Sequence, residues 1–120
     1  ITADRVRNAL QPGTRLVAIT HASNVTGVIQ PIQEIGQIVA AFRQSCSPAG
    51  GRGLLYLVDA AQTAGHVPLH VRDANIDLMC CSGHKGLLGP LGTGVAYLRR
   101  SCASQIRPLR QGGRGSGSER

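Results

Sequence analysis

The chain contains a single lysine, Lys85, while its other twelve strong cations are all arginine. Lys85 ends the stretch Ser82-Gly83-His84-Lys85, which follows the apolar run Ile76-Asp77-Leu78-Met79-Cys80-Cys81. A partly desolvated lysine at a strand end loses basicity and becomes a nucleophile able to form an imine. An arbitrary lysine is only a solvated surface charge, so its company matters. Asp59 closes a second apolar run, Leu54 to Val58, which sets its carboxylate at the edge of a core, where an ionised group needs a partner. A protonated pyridine nitrogen is one such partner; the N–H groups of a turn over Ala60-Ala61-Gln62 are another. Ser82, the Gly83 amide and His84 form a donor cluster suited to a phosphate, or to an ordinary polar turn.

Other motifs fall away. Gly86 to Thr93 (GLLGPLGT) has leucine where a Walker loop needs lysine, and there is no Gly-x-Gly-x-x-Gly. His66 and His70 have ligand-like spacing, but Pro68 between them prevents the helix that would align them, so they are expected at the surface and no metal site is expected. The four cysteines (Cys46, Cys80, Cys81, Cys102) lack both zinc-knuckle spacing and the density of a disulfide scaffold. Cys80 and Cys81 should point to opposite faces of a strand. Reduced, core-filling thiols in a cytoplasmic protein are expected.

The elements that position these residues follow from apolar spacing. Thr2 caps a short helix through Leu10, with Ala3, Val6 and Leu10 on one stripe. RLVAIT (15–20) reads as a buried strand, and the polar loop from His21 to Gly27 stands at its carboxyl end. Pro31 opens a helix to about Gln44, with Ile32, Ile35, Ile38, Val39 and Phe42 at helical spacing. A surface loop over 47–53 leads to strand 54–58, ending on Asp59. A Gly65 turn and a short crossover lead to strand 76–81, and a fourth strand covers 95–98. This rhythm belongs to an α/β domain with a mostly parallel sheet and flanking helices, in which ligands gather at the strands' carboxyl ends. Three successive strand ends carry His21 to Asn24, Asp59 to Gln62, and Ser82 to Lys85.

Length and charge narrow the classes. The 120 residues allow at most one domain, with 42% hydrophobic and 16% charged residues, an ordinary balance for a packed core. The net charge of +7 invites a nucleic-acid reading, but the arginines are scattered and the only aromatics are Phe42, Tyr56 and Tyr97, which leaves bases little to stack on. The denser stretch from Arg99 to Arg114 is expected to be a solvated face. No apolar run reaches the ~18–20 residues that span a bilayer. The first residues, ITADRVRNAL, are too polar for a signal peptide and lack an initiator Met, so the chain reads as a piece of something longer.

Three motifs in order, HASNVTGVIQPI (21–32), VDAAQTAGHVPLHV (58–71) and SGHKGLLGPLGTGVAYL (82–98), resemble the class V aminotransferase family of pyridoxal-phosphate enzymes, in particular its cysteine desulfurase and selenocysteine lyase branch. The likeness runs from about Thr14 to Glu119. It implies part of the large domain of an aspartate-aminotransferase-type fold, with residues 1–111 a partial cofactor-binding domain and the Gly/Ser-rich residues 112–120 continuing into further sequence. It also implies residue roles: Lys85 is the catalytic, imine-forming lysine; Asp59 pairs with the pyridinium nitrogen; Gln62 donates to the phenolic oxygen; Ala61 lies under the ring. Ser82 and His84 hold the phosphate, and Asn24 approaches the cofactor's oxygen side and the substrate carboxylate.

The implied activity is removal of sulfur from L-cysteine to leave alanine, with persulfide sulfur handed to an acceptor protein by a homodimer. The isolated fragment is expected to be inactive. An aminotransferase, a selenocysteine lyase or an epimerase-like member keeps the cofactor and changes the reaction, while a basic nucleic-acid-binding module leaves the ordered motifs unexplained. One departure concerns Gly112-Gly113, where relatives commonly continue with a phosphate-binding Thr and this chain has Arg114. The ring-stacking His, the persulfide-forming loop Cys and the carboxylate-binding Arg are expected outside this chain.

Overall fold

The computed structural model describes residues 1–46 and 53–107. Most of the loop expected over 47–53, and the 112–120 segment with Arg114, lie outside them. The elements run α1 (Ala3–Ala9), β1 (Leu16–Thr20), α2 (Ile32–Ser45), β2 (Leu55–Asp59), β3 (Leu78–Ser82), β4 (Gly94–Leu98) and a 3-10 helix over Arg100–Gln105. The sheet order is β1-β2-β3-β4; β1, β2 and β3 are parallel and β4 is antiparallel to β3.

Alternation decides what each strand buries. Val17, Tyr56 and Val58 point to the face covered by α2, whose Ile32, Ile35 and Val39 repeat at helical spacing and are themselves buried. Each fully buried aliphatic or aromatic side chain there contributes about 1.5–3 kcal/mol. Thr2 Oγ1 accepts from Arg5 N–H at the start of α1, which lays Val6 into the same core with Ala3 and Leu10 beside it. Gly36, in mid-helix, lets α2 press against the Ala74 carbonyl, where a Cβ would collide. Both helices thus lie on one face of the sheet.

Strand bounds differ from the sequence expectation by one or two residues, and the difference matters at two ends. Asp59 and Ser82 are the last residues of β2 and β3, not the first beyond them. The reason is pairing: Asp59 stands between Thr20 and Cys80, and Ser82 faces Gly94. The register puts Asp59, Cys80 and Ser82 on the face opposite the helices.

Candidate functional site

The carboxyl edge of the three parallel strands carries three loops. The first, after β1, folds back on itself: Ala22 bridges Ile29, Gln30 N–H donates to His21 C=O (2.7 Å), and Ser23 Oγ accepts from the N–H groups of Val25 and Thr26 (3.2 Å each). Asn24 is left exposed on this loop. The second is the turn 60–63 after Asp59, whose Oδ1 accepts from Ala61 N–H at 2.9 Å. The alternative partner weighed for Asp59, a following turn, is therefore real, but it occupies only one carboxylate oxygen. Among the described residues Oδ2 takes part in no hydrogen bond.

The third loop carries Lys85. Gly83 N–H donates to Thr93 C=O (2.9 Å) and Gly89 N–H donates to Gly83 C=O (2.7 Å), which closes the segment 83–89 at its base. This corrects the expectation that the Gly83 amide serves an anion: the β3–β4 ladder continues past Ser82 and consumes it. The second and third loops touch through two glycines. Gly65, at φ +87°, meets the Gly86 carbonyl so closely that no Cβ fits between them. The Asp59 turn and the Lys85 loop are thereby held side by side.

Among the described residues, the side chains of Asn24, Gln62, Ser82, His84 and Lys85 form no hydrogen bond or ion pair with the protein. Gln62, Ala61, Ser82 and Lys85 are half-buried, while His84 is exposed. Three loops thus present unpaired donors, an amine and an open carboxylate oxygen along one edge. That donor set fits a ligand with a protonated ring nitrogen, an aldehyde and a phosphate: carboxylate for the first, amine for the second, hydroxyl and imidazole for the third.

Two residues around the site behave differently from the sequence expectation. Cys80 is exposed rather than core-filling, because its position in β3 turns it to the uncovered face beside Asp59. Desolvation, the Asp59 charge and the Cys81 thiol push the Cys80 thiol up, away from the reactive thiolate. His21 is buried, its Nδ1 lies 2.8 Å from Thr63 Oγ1, and burial lowers its pKa, so the ring is neutral at neutral pH. Sequence reasoning passed over Thr63; its place one residue after Gln62 is the only signal.

At the opposite, amino edge, Asp77 is buried and gathers Arg43, Arg99, Tyr56 N–H (2.8 Å) and Cys102 Sγ (3.5 Å). Arg99, expected on a solvated face, is half-buried here, because its guanidinium also donates to the Ile76 carbonyl. A carboxylate inside the apolar run Ile76-Asp77-Leu78 is the signal that marks such a node. His66 and His70 are exposed, and no cluster of metal-ligating side chains occurs among the described residues.

The model of the aminotransferase class-V family matches residues 1–117. The chain belongs to the class-V aminotransferase family. Within the family it is 42% identical over 109 residues to a probable cysteine desulfurase of Methanothermobacter thermautotrophicus, covering 91% of this chain and 25% of that protein. It is 47% identical over 105 residues to the cysteine desulfurase of Rattus norvegicus, covering 88% and 21%. The solved structure of SspA in complex with cysteine superposes with a TM-score of 0.77 at 36% identity, over 94% of this chain and 29% of that one. The chain therefore spans about a quarter of the length of the class-V relatives it matches. The expected architecture, an α/β fold of the aminotransferase type with a mostly parallel sheet, agrees with this likeness and with the observed strand order.

Proposed function

We propose that this chain is the cofactor-binding part of a pyridoxal-phosphate-dependent cysteine desulfurase. The observation that carries the proposal is the meeting, at one sheet edge, of Lys85 and the open Asp59 oxygen with four further hydrogen-bonding side chains that have no partner among the described residues. The relatives' names, and the cysteine in complex with SspA, support the choice of substrate.

Pyridoxal phosphate supplies, when bound, a ring that draws off negative charge developing at the substrate Cα. This chain's residues do the rest. Lys85 would hold the cofactor through its aldehyde, and its amine would be the group that moves a proton at the substrate Cα. Asp59 Oδ2 would keep the ring nitrogen protonated, Gln62 would donate to the phenolic oxygen, and Ala61 would pack against the ring. Ser82 and His84 would bind the phosphate, and Asn24 would serve the phenolic oxygen and the substrate carboxylate. L-Cysteine leaves as alanine, its sulfur passing to a thiol as a persulfide. That thiol is the loop Cys expected outside this chain. A cytoplasmic homodimer serving an acceptor protein completes the proposal; among the described residues no helix is long and apolar enough to cross a membrane.

The intact protein is expected to show a visible absorbance band on loading with pyridoxal phosphate and to yield alanine and sulfide equivalents from L-cysteine with a reductant. Lys85→Ala should lose both. A band unchanged in that variant would overturn the assignment.

A further inference from the structure

Among the described residues, His21 is the one bonded to both of the loops that flank the proposed ring site. Its N–H donates to the Asp59 carbonyl (2.8 Å), its own carbonyl closes the loop bearing Asn24 by accepting from Gln30 N–H (2.7 Å), and its Nδ1 meets Thr63 Oγ1 (2.8 Å). Thr63 ends the turn that carries Ala61 and Gln62, and its N–H donates to the Ala60 carbonyl (3.0 Å). Both side chains are buried, at 4% and 2% exposure, where a lost partner is not replaced by bulk water.

We propose that His21 and Thr63 are the positioning pair of this site. Their contact fixes the turn bearing Asp59 and Gln62 against the loop bearing Asn24, so that a bound cofactor meets a single arrangement of donors. Neither residue touches the cofactor; both act through residues that do. The inference rests on the cofactor reading above, and the experiment separates the two.

In the intact protein, Thr63→Val keeps the shape of the side chain and removes the hydroxyl, whereas Thr63→Ser keeps the hydroxyl. His21→Asn leaves a nitrogen near the place of Nδ1, and His21→Phe fills the space without a polar partner, so it serves as the disrupting variant if Thr63→Val does not fold. The disrupting variants are expected to bind pyridoxal phosphate about tenfold or more weakly and to alter the circular dichroism of the bound cofactor's visible band. The conservative variants should stay within about threefold, with the native signal. Disrupting variants that melt earlier yet keep native affinity and dichroism would show that the bond serves the fold alone, and so overturn the proposal. Absence of any cofactor band in the unaltered protein overturns the cofactor reading itself, before a variant is made.

Discussion

Asp59 uses its two carboxylate oxygens differently, and the difference can be tested by substitution. Asp59→Asn keeps an acceptor for Ala61 N–H and loses the charge, so it should fold like the parent while, on the proposed function, alanine formation from cysteine by the intact protein falls by at least about a hundredfold. Asp59→Ala should lose in addition about 1 kcal/mol of stability, read from thermal melts. His21 adds a pH dependence. Its folded pKa lies below the usual imidazole value of 6.5, so as the pH falls the unfolded chain takes up the proton first. The stability this ring provides is present above pH 6.5 and is lost as the pH falls toward the lower folded value. The cavity beside the ring is also lined by Glu34 and His70, so the measurement is a comparison: melting temperature against pH in the parent and in His21→Asn, with the acid-side slope smaller in the variant.

At the scale of elements, what was legible in the sequence was whatever apolar spacing determines. Ile32, Ile35, Val39 and Phe42 fix the length of α2 to within a residue, and the runs ending at Asp59 and Ser82 place two of the three site loops. The direction of β4 was not legible, because nothing in Val95-Ala96-Tyr97-Leu98 says which way it pairs with β3; that direction is what takes the Gly83 amide. Thr63 and the partners of Asp77 were equally hidden, since each depends on a side chain far away in sequence. The tight meeting of Gly65 and Gly86 belongs to this scale too. Gly65→Ala should cost at least about 2 kcal/mol, from left-handed backbone strain and the collision with the Gly86 carbonyl, and, on the proposed function, should weaken pyridoxal-phosphate binding by the intact protein because the two loops must separate. Calorimetry and a cofactor titration of the same sample check both effects.

Across the whole molecule, charge is partitioned between the two edges of the sheet. The amino edge is satisfied: Asp77 joins α2, β2, the segment leading into β3 and the residue after β4 through one carboxylate. Asp77→Ala should leave Arg43 and Arg99 half-buried without a counter-ion and destabilise the fold by about 3 kcal/mol or more, seen as a lower denaturant midpoint. At the carboxyl edge, among the described residues, Asp59 Oδ2 and the side chains of Asn24, Gln62, Ser82, His84 and Lys85 have no protein partner. The sheet is likewise covered on one face, and on the other Leu16 and Leu98 stand 50% and 40% exposed. With Gly83 bonded to both Thr93 and Gly89, the backbone at the root of the Lys85 loop is tied to the segment that leads into β4. Val25, Thr26 and Val28, exposed on the loop after β1, lie outside that tie, so their side chains can be exchanged without disturbing the backbone that carries the lysine.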